Sequence, residues 1–309
     1  MSLERALELA ERGRGTTHPN PVVGAVVVRD GEIVGEGWHE RKGEAHAEVR
    51  ALEQAGEHAK GATLYVTLEP CARHGSTPPC VDAVVAAGIG RVVIGAHDPT
   101  QTGIEALRQA GVEVEVLDDW RARQQNEAWL TWAGKSRPFV TYKVAITLDG
   151  RVVVPGRRWV SGEESRRLVH ELRAESDAVA VGMGTVRADH PRLDARDVDS
   201  VRQPRRLAFG RGPLPDGSEL ELRPGALEEE LSALAAEDVQ SLLLEGGPTL
   251  AGAFFAAGLV DKLLLFVAPV LGGDGPRFLE RLPAPVAVRG LEARPVGKDV
   301  LLRAYVHEP

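Results

Sequence analysis

His46 and Glu48 stand two apart in the segment GEAHAEVRALEQAG, and the chain's two cysteines, Cys71 and Cys80, follow it. A histidine and two thiolates can hold zinc and leave its fourth tetrahedral position open, as a catalytic site requires and a structural site does not. Water at such a metal ionises near neutral pH and can attack an amidine-like ring carbon. Glu48 is then expected as the proton shuttle, taking a proton from water and delivering one to the departing amine, and not as a ligand. Two plainer readings stay open at this level. His74, in the loop between the cysteines, could close a structural four-ligand site, and each of the three residues could be core packing alone.

This chemistry needs elements that converge. The run ATLYVTL reads as a buried strand that delivers Glu69, Pro70 and Cys71, and the loop ARHGSTPP separates them from Cys80. His46 and Glu48 open a predicted helix. Around them VVGAVVV, RVVIGA and VEVEVL read as strands and VDAVVAAG and IEALRQAG as helices, which implies a mostly parallel sheet covered by helices on both faces. QQNEAWLTWAG reads as one helix running into a polar, proline-bearing linker over 134–138. The rhythm then restarts. FVTYKVAITL, AVAVGM, RRLAFG, SLLLEG and KLLLFVAPVL read as strands, and SRRLVHELRAE, LEEELSALAAE and PTLAGAFFAAG as helices. The Gly/Pro/Arg-rich stretch 196–217 is expected to carry turns.

A chain of 309 residues exceeds the size at which a single core stops growing, so two α/β domains are expected, over 1–136 and 137–309. The net charge of −8 argues against general nucleic-acid binding, which depends on Lys and Arg neutralising phosphates, but leaves room for small anions at local arginines. No apolar run is long enough for a membrane span, and MSLERALELAERGR reads as an amphipathic helix and not a secretory signal, so a cytoplasmic enzyme is expected. Two cysteines in one segment are no disulfide framework.

The H-x-E and P-C pairing is the signature of zinc deaminases. Eight residues separate the cysteines here, where two are usual. Together HPNPVVGAVVV, GWHERKGEAHAEVRAL and TLEPCARHGSTPPC resemble the bifunctional riboflavin-biosynthesis deaminase/reductase family, whose longer TPPC loop separates it from cytidine and tRNA adenosine deaminases. KVAITLDG, WVSGEESRRLVHELRAESDAVAVGMGTVRADHPRL and LLLEGGPTL are similar to its reductase half, so the likeness spans nearly the whole chain. It implies a cytidine-deaminase-like three-layer domain followed by a dihydrofolate-reductase-like α/β domain. It also implies zinc and NADPH as cofactors, a phosphorylated pyrimidine as substrate and a homodimer through the reductase half.

Residue by residue, the resemblance puts zinc on His46, Cys71 and Cys80, with Glu48 as proton donor and Asn20 and His39 against the substrate. In the second half Lys143, Arg173, Leu193, Arg196 and Glu245 would face substrate. Ala145, Trp159, Thr185, Asp189 and the turn Gly246, Gly247, Pro248, Thr249 and Leu250 would face NADPH. Elementary chemistry supports part of this. LLLEGGPTL is a strand, a glycine turn and a helix start, which offers free N–H groups to a phosphate. Arg173 and Arg196 are bidentate donors, and Lys143 on an apolar strand needs a partner, for which Glu245 is the candidate. A structural ion pair, a core Trp159 and a simple Asp149–Gly150 turn are the plain alternatives. The stretch AHDPTQTGIEAL is shorter than in relatives, and His190 stands where Asn or Asp is more frequent. A single-activity nucleoside or nucleic-acid deaminase with an inert second domain, or a zinc-stabilised binding module, are the competing readings.

Overall fold

The computed structural model describes residues 2–74, 78–198, 202–279 and 282–308. Part of the long loop between the cysteines, residues 75–77, and residues 199–201 of the turn-rich stretch lie outside them. The chain divides into two compact units, residues 2–135 and 136–308.

In the first unit α1 (Ser2–Glu11) precedes the hairpin β1 (Gly24–Arg29) and β2 (Glu32–Trp38). Then come α2 (Ala47–Ala55), β3 (Thr63–Leu68), α3 (Cys80–Ala86), β4 (Arg91–Ala96), α4 (Gly103–Gln109), β5 (Glu113–Val116), α5 (Trp120–Gln125) and α6 (Glu127–Lys135). The sheet order is β2-β1-β3-β4-β5. β3, β4 and β5 run parallel, but β1 is antiparallel to both its neighbours, so the expectation of a mostly parallel sheet is corrected at this edge. The cause is local. Asp30 and Gly31 both take positive φ, 53° and 85°, forming the two-residue turn whose twist matches a hairpin. Alternate strand residues, among them Val27, Leu64, Val66, Val92 and Ile94, pack on α2, α3 and α4. On the other face Val26 meets Ala6 and Leu9 of α1, and Leu68 and Ala96 meet Ala122 of α5. The layers are therefore helix, sheet, helix. The helix expected over 124–134 is broken at Asn126, whose buried side chain accepts from Val22 N (3.0 Å) and donates to Val22 O (2.8 Å), a long-range pairing that holds the chain at the break.

The second unit runs β6 (Phe139–Thr147), α7 (Glu163–Glu175), β7 (Ala178–Gly182), α8 (Met183–Asp189), β8 (Arg205–Phe209) and β9 (Glu221–Arg223). It continues with α9 (Leu227–Ala236), β10 (Ser241–Leu244), α10 (Pro248–Ala256), β11 (Lys262–Ala268), β12 (Arg289–Val296) and β13 (Asp299–Tyr305). The order is β12-β13-β11-β6-β10-β7-β8-β9, parallel from β11 to β9. Val140, Tyr142, Val144 and Ile146 of β6 face α9 and α10. The period of two sends Lys143 and Ala145 to the opposite face, with α7 and α8. The carboxyl ends of β6, β10 and β7 thus lie side by side, where open parallel sheets place their ligand crevices.

Candidate active sites

In the first unit, His46 is the extended residue that caps α2, and Glu48 lies in the first turn. α2 can sit close to the sheet because β2 carries glycines under it: a Cβ on Gly37 would stand 2.4 Å from Ala47 O. Cys71 leaves the end of β3, and Cys80 starts α3. His46 Nδ1 is 3.2 Å from Cys80 Sγ and 3.5 Å from Cys71 Sγ, and the three ligand atoms lie within 4.8 Å of one another. A tetrahedral zinc with ligands at about 2.0 Å (N) and 2.3 Å (S) keeps N and S about 3.6 Å apart, close to the two spacings seen here, so the donor set fits the ion. His74 is exposed and lies outside this cluster. Among the described residues three candidate ligands come together, which speaks against the closed four-ligand reading.

The electrostatics follow from burial and contact. A hydrogen bond from the Cys80 thiol is the main influence lowering Cys71, with the Cys80 N–H (3.3 Å) adding to it, while the same bond and burial raise Cys80. The pair thus holds one proton between two sulfurs, which is the demand that a divalent cation meets. The Cys71 contact raises His46 against the effect of burial. Glu48 is 3% exposed, and that desolvation pushes its carboxyl above the ordinary range despite nearby His46. A carboxylic acid shifted this way can both take and return a proton. His39 stacks edge-on to His46, ring centroids 5.2 Å apart. Its Nδ1 donates to Ala45 O (3.3 Å), so its Nε2 accepts from Asn20 Nδ2 (3.2 Å), and burial lowers its pKa and keeps it neutral. Asn20 and His39 are thereby brought beside the metal cluster.

Glu69 was given no role from sequence, and it organises this end of the sheet. Its buried carboxylate accepts from Asp98 N (3.2 Å) and Ile104 N (3.0 Å), tying the loop after β4 to the strand end that carries Cys71. A glutamate at the end of an otherwise apolar strand was the available signal.

In the second unit a cleft of about 1170 Å³ opens at the carboxyl ends of β6, β10 and β7. It is lined by Lys143, Ala145, Trp159, Arg173, Thr185, Asp189, Arg196, Glu245 and the turn from Gly246 to Leu250. Leu193 differs. Its side chain is 2% exposed and packs with Val179, Val181 and Val186, as its apolar character dictates, so it anchors the segment carrying Arg196 from behind. Glu245 receives Lys143 Nζ (3.3 Å) and a two-pronged contact from Arg173, Nε at 2.6 Å and Nη2 at 3.1 Å. The Arg173 fork, expected to face a phosphate, is therefore engaged with Glu245, and its Nη1 donates to Asp194 O (3.2 Å). Burial acts to raise the Glu245 carboxyl, but the Lys143 and Arg173 charges outweigh it and hold it at about 2. The triad carries a net positive charge at the cleft floor. Arg196 pairs with Asp194. Trp159 is 52% exposed between the Arg158 and Arg166 guanidinium groups, so it is a cleft-lip residue and not core. Asp149 ties the turn after β6 to the loop after β11 by accepting from Gly272 N (2.7 Å) and Gly273 N (3.0 Å).

The geometry stands beside clear kinship. Residues 2–96 match the cytidine and deoxycytidylate deaminase zinc-binding region, and residues 138–302 match the RibD C-terminal domain. Riboflavin biosynthesis protein RibD of Escherichia coli is 39% identical, covering 97% of both chains, and that of Aquifex aeolicus 38%, covering 97% of this chain and 96% of the relative. Acinetobacter baumannii RibD superposes with a TM-score of 0.85 at 34% identity, covering 98% of this chain and 97% of that one. A Thermotoga maritima diaminohydroxyphosphoribosylaminopyrimidine deaminase/5-amino-6-(5-phosphoribosylamino)uracil reductase superposes with a TM-score of 0.82 at 33% identity and the same coverage. With both units matched and the likeness running end to end, the chain belongs to the RibD family of bifunctional deaminase/reductases of riboflavin biosynthesis.

Proposed function

We propose that residues 1–136 deaminate the diaminohydroxyphosphoribosylaminopyrimidine named for the Thermotoga relative, and that residues 137–309 then reduce the resulting 5-amino-6-(5-phosphoribosylamino)uracil. The observation that carries this reading is the presence, on one chain, of the three-ligand cluster with a buried glutamate and of the cationic cleft. Zinc, when bound by His46, Cys71 and Cys80, supplies the Lewis acid that makes water nucleophilic near neutral pH. Glu48 takes the proton from that water and returns a proton to the amino group, which leaves as ammonia while the ring carbon keeps the oxygen. Neutral His39 and Asn20, already hydrogen-bonded to each other, orient the pyrimidine edge.

NADPH, when bound, supplies the hydride that turns the opened ribosyl arm into a ribityl chain. Ala145, Trp159, Thr185 and Asp189 shape its side of the cleft, and the turn of Gly246, Gly247, Pro248, Thr249 and Leu250 offers it the N–H groups at the start of α10, Pro248 supplying none. Glu245 fixes Lys143 and Arg173, so that Lys143 presents a donor to the sugar, while Arg196, anchored through Leu193, faces the phosphate. The need for two free thiols as metal ligands supports a reducing, cytoplasmic setting. Among the described residues no helix is long and apolar enough to cross a membrane. β12, an edge strand with Leu291 65% exposed, supports a homodimer through the reductase half; light scattering that gives a monomer at micromolar concentration refutes the dimer.

Mass spectrometry of products from the phosphoribosylamino-pyrimidine, with and without NADPH, tests the reading. Deaminated product alone without cofactor, and ribityl product with it, is the expected result. Deamination with no reduction in either tube overturns the assignment of the second unit.

A further inference from the structure

Cys71 follows the last residue of β3 by three positions and belongs to no helix or strand, so something other than secondary structure must fix its peptide. Part of the answer is the cysteine loop itself, through Val81 N donating to Cys71 O (3.2 Å). The rest comes from the short loop after β4. Asp98 Oδ1 accepts from Thr100 N and from Thr100 Oγ, both at 2.7 Å, closing a tight turn. Gln101 follows that turn, its Nε2 directed to Thr100 Oγ (3.4 Å) and its Oε1 accepting from Ala72 N (3.2 Å), the peptide next to Cys71. Glu69 anchors both ends of the loop, at Asp98 N and Ile104 N. Gly103 lets it close in, since a Cβ there would stand 1.9 Å from Pro70 O.

We propose that Gln101 is a positioning residue of the metal centre: by holding the Ala72 N–H it fixes the orientation of Cys71 and thereby sets how tightly zinc is kept. The inference rests on the reading that His46, Cys71 and Cys80 hold zinc. Groups that orient metal ligands typically change metal affinity by about 10- to 100-fold when removed. The side chain lies in the stretch AHDPTQTGIEAL, so this loop serves as a brace for the segment that carries Cys71.

The test follows zinc release from the loaded full-length chain into excess chromophoric chelator, for the native protein, Gln101→Ala and Gln101→Glu. Gln101→Ala is expected to release zinc about 10-fold faster. Gln101→Glu keeps an acceptor for Ala72 N and is expected to stay within about twofold of the native rate. Thermal unfolding of the metal-free proteins is expected to coincide, whereas the zinc-loaded Gln101→Ala melts earlier. Equal release rates for all three overturn the proposal, as do equal losses in both variants. An equal fall in melting temperature with and without zinc also overturns it, because Gln101 then only stabilises the loop. A native chain that binds no zinc removes the underlying reading instead, and this one with it.

Discussion

Glu48 and Glu245 are both buried carboxylates, and their surroundings drive them in opposite directions. Glu48 has desolvation as its dominant influence and is raised, which suits a group that must carry a proton. Glu245 has two cations within hydrogen-bonding reach and stays ionised, which suits a group that must hold others in place. Glu48→Gln keeps the volume and a polar group that can still meet the Cys80 sulfur, which Glu48 contacts, so zinc content should be unchanged while ammonia release falls by about 10²- to 10⁴-fold; metal analysis beside an ammonia assay checks both halves, with NADPH oxidation as the internal control. Glu245→Gln leaves the partly buried Lys143 and Arg173 without a counter-charge and should cost about 1–3 kcal/mol of second-unit stability, read by denaturant unfolding. The pH dependence has a definite sign. The folded pKa of about 2 lies below the unfolded value near 4.3, so the stabilisation is fully present above that value and is lost as pH falls toward 2. The native chain should lose stability over that window more steeply than Glu245→Gln. Of these residues His46, Cys71, Cys80 and Glu48 stand out by spacing as candidates for a metal site, and the fold brings the three ligand-type side chains together. Leu193 and the engaged fork of Arg173 were not, because a residue's partners depend on tertiary packing that no local pattern encodes.

The elements that present these residues were legible where hydrophobic period was strong and illegible where glycine interrupted it. β2, EIVGEGW, was missed because two of its seven residues are glycines, yet Asp30–Gly31 between two runs of β-branched residues is the strongest short-range hairpin signal and would have found it. β12 and β13 were missed as well, and the outer strand is exposed along nearly its whole length, so it carries no alternation to read. The break between α5 and α6 was hidden for a different reason: Asn126 stops the helix by bonding Val22, a residue 104 positions away. The glycines of β2 have a structural purpose that makes a prediction. A Cβ on Gly37 would meet Ala47 O at 2.4 Å and Ala51 N at 2.7 Å, both backbone atoms of the helix that His46 caps. Gly37→Ala should therefore push α2 off the sheet, lower first-unit stability by about 1–3 kcal/mol and weaken zinc binding, as measured by melting temperature and chelator competition. Full zinc affinity in Gly37→Ala would show that the helix can shift without carrying His46 with it.

At the scale of the molecule, the chain is two separately cored units, each with its own sheet and its own site. The candidate zinc ligands His46, Cys71 and Cys80 all belong to the first unit, so metal bound there should stabilise that unit by mass action and leave the second without direct benefit. The cleft proposed for NADPH, with Lys143, Arg173 and Glu245, belongs to the second unit in the same way. Calorimetry of the full-length chain should accordingly resolve two transitions, and chelation of zinc should lower one of them while NADPH raises the other. The magnitude follows from ligand occupancy: a ligand at 100 times its Kd adds about 2.7 kcal/mol to the unit that binds it. A single transition that moves as a whole with either ligand would mean that the two cores unfold as one cooperative system, and that a substitution such as Gly37→Ala, far from the reductase cleft in sequence, must also reduce NADPH-dependent stability.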